Sequence, residues 1–344
     1  MKHLRRYIGA RERILLVGPP GIGKTARVLA AANAEGLRLV NMRASLCERV
    51  DFGGALVPDM KAGLTRALPL DTLADLRATK KPTLLFLDDL GQAPMDVQAA
   101  LMVLFDQGGV SDNVLIWGAT NRPGDVAGVT RLCEPLRSRF SLAFSIATPE
   151  QKSDAPDGGV MFGTWEDEVA SWCGWALDND VAPEIIAWHR ATNGRTLYAW
   201  RPCADPSVRM PDYRAWATVA RLWAAGLRGL DDVAAAIGKP AAAEFVAFAR
   251  LADKLPTPDQ VWLDPKGAIV PEEPAALYLV ASSLAASAKM QHARALVTYL
   301  ARMPRVYGAL LGRDAHRRLG ATLSGCKEWV AWYTANQELF GLDG

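Results

Sequence analysis

Short apolar runs and longer amphipathic stretches alternate along the first 150 residues. The runs ILLV (14–17), LRLV (37–40), TLLFL (83–87) and VLIW (114–117) are brief and show no every-second-residue polar alternation. Such runs predict strands covered on both faces, and therefore a parallel sheet between helical layers, the α/β class. At about residue 147 the pattern breaks. ATPEQKSDAPDGG is polar, rich in Pro and Gly and aperiodic, which predicts a linker and a domain boundary. Beyond it, apolar residues return every three or four positions, as in WEDEVASWCGWALDN (165–179) and RAWATVARLWAAGL (214–227), the mark of helices. The Ala-rich stretch 234–252 reads as one helix, with Phe245, Val246, Phe248 and Leu251 on its apolar face. Prolines at 256, 258, 265, 271 and 274 interrupt this half. The expected organisation is an α/β core over 1–150, an all-α lid over 151–255 and a C-terminal helical domain over 256–344.

Composition narrows the class. The chain has 344 residues, 50% hydrophobic and 22% charged, which fits a folded soluble protein and excludes extensive disorder. Lys and Arg number 39 against 37 acidic residues, so no global basic field favours nucleic acid or an anionic membrane. The longest uncharged stretch, Pro274 to Ala288, falls short of the roughly 20 apolar residues of a spanning helix. The N-terminal MKHLRRYIGARER is basic but lacks the apolar run of a signal peptide, so a cytoplasmic location is expected. Five scattered cysteines without a CxxC or a Cys/His cluster predict reduced, structural thiols. The tryptophans 172, 175, 188, 216 and 223 recur at helical spacing and read as core.

The strongest chemical signal follows the first apolar run. Gly18-Pro19-Pro20-Gly21-Ile22-Gly23-Lys24-Thr25 fits G-x-x-x-x-G-K-[ST] between a strand and the helix-forming run that begins at Ala26. Glycines let successive backbone N–H groups turn inward on phosphate oxygens, and the helix adds the positive end of its dipole. Lys24 supplies a charge to the β- and γ-phosphates, and Thr25 a hydroxyl to Mg²⁺. The overlapping Gly21-Ile22-Gly23-Lys24-Thr25-Ala26 also satisfies a dinucleotide fingerprint. That reading requires an acidic residue about 20 positions on, and LRLVNMRA holds none.

Hydrolysis needs more than a cradle. TLLFLDDL delivers Asp88 to a strand end as a metal-orienting carboxylate, with Asp89 next to it as a candidate general base. VLIWGATNRP delivers Asn121 from a further strand end, placed to orient water. Arg137 and Arg139, in LCEPLRSRF, are placed to donate bidentate hydrogen bonds to a γ-phosphate held by an adjacent subunit.

Taken together these residues resemble the AAA+ ATPases, and more narrowly their MoxR-like branch. GPPGIGKT resembles Walker A, LLFLDD Walker B, Asn121 sensor 1, and SRF around Arg139 the trans-acting arginine finger, with Arg137 as its alternative. Pro211-Asp212-Tyr213-Arg214-Ala215-Trp216 resembles a P-x-x-R-x-W lid segment, which gives Arg214 the sensor 2 role. The resemblance implies ATP with Mg²⁺, a hexameric ring of copies, and chaperone-like remodelling of a protein partner, often one with a von Willebrand A domain. A nucleic-acid motor or loader, and a slow nucleotide-gated switch, are the alternatives. Two departures stand out. Asp89 occupies the place of the family's usual glutamate, and the stretch between Leu104 and Val114 is short for the hairpin that MoxR-like proteins carry before sensor 1. The segment DFGGALVPD (51–59) is a candidate ring-facing loop, with Phe52 either its gripping residue or part of the local core.

Overall fold

The computed structural model describes residues 2–125, 132–150, 159–203, 205 and 207–339. It divides into two compact units, Met1–Thr164 with Trp200–Ala204, and Trp165–Ala199 with Asp205–Gly344. The expected linker falls largely on 151–158, outside the described residues. The boundary expected at residue 255 falls inside the second unit.

The first unit begins with α1 (Lys2–Gly9), β1 (Ile14–Val17), α2 (Lys24–Ala34), β2 (Arg38–Arg43) and α3 (Arg49–Gly53). It continues with β3 (Ala55–Asp59), β4 (Leu64–Leu68), α4 (Asp71–Ala78), β5 (Thr83–Asp88), α5 (Met95–Leu101), β6 (Val114–Thr120), α6 (Glu134–Arg137), β7 (Leu142–Ile146) and β8 (Met161–Phe162). Among the described residues, six strands form one sheet in the order β2-β5-β6-β1-β7-β8, every neighbouring pair parallel. Alternate residues of the central strands face opposite layers, because side chains on a strand point up and down in turn. Leu15, Leu85, Leu87 and Ile116 pack with Leu76 of α4, Leu101 of α5 and Leu136 of α6. Ile14, Leu16, Leu84, Phe86 and Trp117 pack with Leu4 of α1 and with Val28 and Ala32 of α2. β5 and β6 are buried along their whole length, as their unbroken apolar runs predict. β2 departs from that expectation, since it is the edge strand and only partly covered.

The antiparallel pair β3–β4 lies apart from the main sheet and has no counterpart in the sequence-based expectations. Its residues are largely exposed on both faces, so no buried/polar alternation marks them. Arg66 Nε and Asp59 Oδ2, 2.9 Å apart, tie its strands together. Phe52, by contrast, is 1% exposed and belongs to the core with Leu73 and Leu76, so it is unavailable as a gripping side chain.

The second unit contains α7 (Trp165–Asp178), α8 (Pro183–Ala191), α9 (Tyr213–Ala224), α10 (Leu230–Ile237), α11 (Lys239–Ala249) and α12 (Pro258–Leu263). It closes with α13 (Pro274–Ser287), α14 (Ala293–Leu300), α15 (Arg305–Leu319) and α16 (Lys327–Ala335). The single helix expected over 234–252 is two, because Gly238 at φ 81° breaks the run and Pro240 starts the next. Trp172, Trp188, Trp216 and Trp223 are buried, and Trp216 Nε1 donates to the carbonyl of Thr196 at 2.6 Å.

His189 of α8 is fully buried, edge-on to Trp172 and Trp216 at 4.7 and 4.3 Å between ring centroids, and among the described residues neither ring nitrogen has a hydrogen-bond partner. Burial lowers its pKa from 6.5 to about 3, because the cation loses its hydration there. The folded state therefore keeps the neutral imidazole while the unfolded chain protonates near 6.5. Its stabilising contribution is fully present above that pH and declines as pH falls toward 3. Between about pH 6.5 and 5, about 2 kcal/mol of stability is expected to be lost on this account. Urea titrations of the wild type and His189→Leu across that range check this. The variant should lose one proton's worth of slope, and equal slopes would refute the assignment.

Candidate functional site

Parallel register brings the candidate residues to one edge of the sheet. Val17 pairs with Thr120, Leu87 with Gly118 and Arg43 with Asp88, so the carboxyl ends of β1, β5, β6 and β2 lie side by side. Ligands of open α/β sheets collect at this edge. The chain leaves β1 into Gly18–Gly23, and the amide of Gly18 donates to the Thr120 carbonyl at 3.2 Å. Gly21 and Gly23 take φ of 76° and 85°, which side chains of other residues resist, and the loop then enters α2 at Lys24. Gly18, Pro19, Gly21 and Ile22 are buried, Pro20, Gly23 and Thr25 partly so, and Ala26 is exposed on the first turn of α2.

Lys24 is almost wholly buried. Its Nζ donates to the carbonyls of Gly18 at 2.9 Å and Pro19 at 3.1 Å and to Oδ1 of Asn121 at 2.6 Å. The ammonium is thus held between the start of the loop and the end of β6. Thr25 Oγ1 donates to Asp88 Oδ2 at 2.6 Å, and the amide of Asp89 donates to Asp88 Oδ1 at 3.0 Å. A hydroxyl beside a carboxylate is a hard oxygen donor set, which fits Mg²⁺. These four side chains, Lys24, Thr25, Asp88 and Asn121, come from three separate stretches of sequence and gather at one strand edge through these hydrogen bonds.

Asp89 turns out of the sheet in the left-handed conformation, φ 56° and ψ 36°, which Asp tolerates better than most residues. The turn leaves its carboxylate partly exposed, with Arg43 Nε at 3.8 Å from Oδ2. Asn121 is held from behind. Thr120 Oγ1 donates to the Asn121 carbonyl at 3.1 Å and accepts from the Gly91 amide at 3.2 Å. Immediately after it, the Arg122 amide donates to Asp125 Oδ2 at 2.9 Å, and the Arg122 guanidinium pairs with the same buried carboxylate at 3.0 Å. Nothing in the sequence reading singled out Arg122 and Asp125, although an N-R-P-G-D run that ends in an acid is a turn signal.

The two candidate trans-acting arginines are both exposed. Arg137 pairs with Glu134 at 2.7 Å, and Arg139 lies 3.5 Å from Asp106. Such exposed pairs exchange readily for a stronger partner. Arg214 belongs to the second unit, exposed on the first turn of α9, where Asp212 Oδ1 caps the helix by accepting from the Ala215 amide at 2.6 Å. Burial raises the pKa of Asp212, opposed by that amide and by the charge of Arg214.

Residues 14–147 match the family model described as "ATPase family associated with various cellular activities (AAA)". The outer mitochondrial transmembrane helix translocase of Danio rerio is 32% identical over 150 residues, covering 40% of this chain and 35% of that protein. The mitochondrial sorting homolog of Caenorhabditis elegans is 30% identical over 152 residues, covering 40% and 39%. ATPase family gene 2 protein homolog B of Bos taurus is 34% identical over 147 residues, covering 40% and 18%. The chain thus spans little more than a third of the first two and less of the third. Two solved RuvB mutants of Thermotoga maritima align at TM-scores of 0.33 and 0.32, with 17% and 16% identity. They cover 74% of this chain and 61% and 60% of theirs. No helix among the described residues is long and apolar enough to cross a membrane.

Proposed function

We propose that residues 14–147, which match the AAA family model, form an ATPase domain, and that this chain binds and hydrolyses ATP and uses the cycle to remodel a protein partner. The single observation that carries the reading is the cluster of Lys24, Thr25, Asp88 and Asn121 at the carboxyl edge of the sheet. The amides of Gly18–Ala26 cradle the phosphates, and Lys24 moves from Gly18 and Pro19 onto the β- and γ-oxygens. Thr25 and Asp88 hold Mg²⁺, which neutralises phosphate charge when bound. Asp89 takes a proton from the attacking water, and Asn121 orients that water.

Within this proposal the protein belongs to the MoxR-like branch, acts in the cytoplasm and assembles as a hexameric ring. Arg139 or Arg137 completes the pocket of the next copy, and Arg214 takes the sensor 2 role. The motions of a lid over 151–255 and a terminal domain over 256–344 follow phosphate release. A partner protein, including one with a von Willebrand A domain, is the object of the work. The name of the zebrafish relative, a translocase, supports a mechanical role. With Phe52 in the core, the hairpin β3–β4 supplies the apolar contacts, through Leu56 at 75% exposed and Met60 at 88%.

Asp89 is shorter by one methylene than a glutamate, so hydrolysis is expected to be measurable but modest. Asp89→Asn should lower the steady-state ATPase rate about a hundredfold while leaving ATP affinity unchanged. An unaltered rate would remove Asp89 as the base, whereas wild-type protein that binds ATP without hydrolysing it in a single-turnover assay would favour a nucleotide-gated switch. Salt-sensitive, DNA-stimulated ATPase activity would instead support a nucleic-acid motor.

A further inference from the structure

Gln98 is the polar exception on the buried face of α5. It is fully buried, on a helix whose Val97 and Leu101 belong to the core, where a leucine or methionine would be the ordinary choice. A buried amide costs stability unless it is hydrogen-bonded, so its bonds mark what it is there to hold. Its Oε1 accepts from the Cys133 amide at 2.8 Å, and its Nε2 donates to the Ala93 carbonyl at 3.0 Å.

The two ends of that bridge belong to different parts of the chemistry. Ala93 closes the short turn Leu90–Gln92 that begins at Asp89. Cys133 is the cap residue of α6, the four-residue helix that ends in Arg137 and turns, through Arg139 N to Leu136 O at 3.2 Å, into the Arg139 position. Packing runs the same way. Leu90, Ala93, Leu136 and Phe140 share one core. A Cβ placed on Gly118 of β6 would meet Leu90 Cδ1 at 2.6 Å and Phe140 Cζ at 2.7 Å, so both side chains close over that glycine without slack. The carboxylate turn, the middle of β6 and the arginine turn are therefore packed against one another, and the Gln98 amide bridges the two turns.

We propose that Gln98 is a positioning residue that couples a protomer's own Asp89 turn to the arginine segment it presents to a neighbouring copy. The inference rests on the reading of Arg137 and Arg139 as trans-acting. A hydrophobe at 98 fills the same volume but leaves the Cys133 amide and the Ala93 carbonyl without this bridge, and the arginine segment loses its fixed distance from the turn.

Mixed assemblies test it. Wild-type subunits are combined with an excess of Asp89→Asn donor subunits, which present arginines but turn over about a hundredfold more slowly, and the ATPase rate per wild-type site is measured after subtraction of the rate of donors alone. Donors that also carry Gln98→Met should lower that rate at least about tenfold relative to plain donors. ATP affinity and the unfolding midpoint of the homogeneous Gln98→Met protein serve as the check that it folds. Equal rates with the two donors would overturn the inference. Donors carrying Arg137→Ala and Arg139→Ala separate the two levels: if they leave the rate unchanged, the trans-acting arginine itself fails. If they lower it while Gln98→Met does not, only the role of Gln98 fails.

Should Gln98→Met not fold, Gln98→Glu donors provide the reading. Once protonated, the introduced carboxyl restores a donor toward Ala93, so the rate with these donors, relative to plain donors, should recover as pH is lowered. A flat ratio across pH would again overturn the inference.

Discussion

Replacing Lys24 by alanine is expected to lower ATP hydrolysis by at least about a hundredfold, the scale for removing one preorganised donor from a developing charge. The argument comes from where the ammonium sits. It is 7% exposed and held by three acceptors at the start of the glycine loop, so the substitution removes a buried, positioned charge. The substitution also releases Asn121, whose Oδ1 receives the ammonium at 2.6 Å, so the loss should fall on kcat as well as on ATP affinity. Steady-state kinetics on Lys24→Ala and Lys24→Arg would separate the two contributions. Arginine keeps the charge but is too long and planar for the pocket, and should remain far below the wild type.

The largest effect on stability is expected in the helical unit, at Arg190 and Asp314. The guanidinium of α8 meets the carboxylate of α15 with Nη2 to Oδ1 at 3.0 Å, Ser282 of α13 lies 3.3 Å from Nη1, and the exposures of the two charged side chains are only 8% and 3%. A buried pair is weak evidence of net stabilisation, since desolvation offsets much of the attraction, but removing one partner strands the other. Asp314→Ala should cost about 3–5 kcal/mol, because an arginine cannot deprotonate to escape. The double replacement Arg190→Met with Asp314→Leu should recover most of that loss. Urea unfolding followed by tryptophan fluorescence measures both, and an Asp314→Ala midpoint equal to the wild type would contradict the account. Cys173 lies near these charges, yet burial pushes its thiol up to about 11, consistent with an inert core residue.

Much of the α/β unit is legible in the sequence because its chemistry is local. A glycine loop between strand and helix, a carboxylate after an apolar run and an amide at the end of another are constrained by spacing alone. The structure gathers Lys24, Thr25, Asp88 and Asn121 at one edge, with Lys24 bonded to Asn121 and Thr25 to Asp88. What escapes the sequence reading is long-range or unpatterned. The hairpin β3–β4 is exposed on both faces and carries Pro58 within a strand, so neither alternation nor propensity marks it. Gln98 and Cys133 are 35 residues apart, and Arg190 and Asp314 are 124 apart, distances over which no periodicity speaks. The split of the Ala-rich helix is signalled by Gly238 and Pro240, a signal outweighed by the apolar face on either side.

Everything in the proposed engine depends on a triphosphate settling among the amides ahead of α2. The direct measurement is equilibrium binding of ATP to the purified protein by calorimetry, with and without Mg²⁺, beside Lys24→Ala and Asp88→Ala. The account predicts saturable binding by the wild type that strengthens with Mg²⁺, loses that strengthening in Asp88→Ala and largely disappears in Lys24→Ala. Absence of wild-type binding in the presence of Mg²⁺, or equal binding by all three proteins, would contradict it.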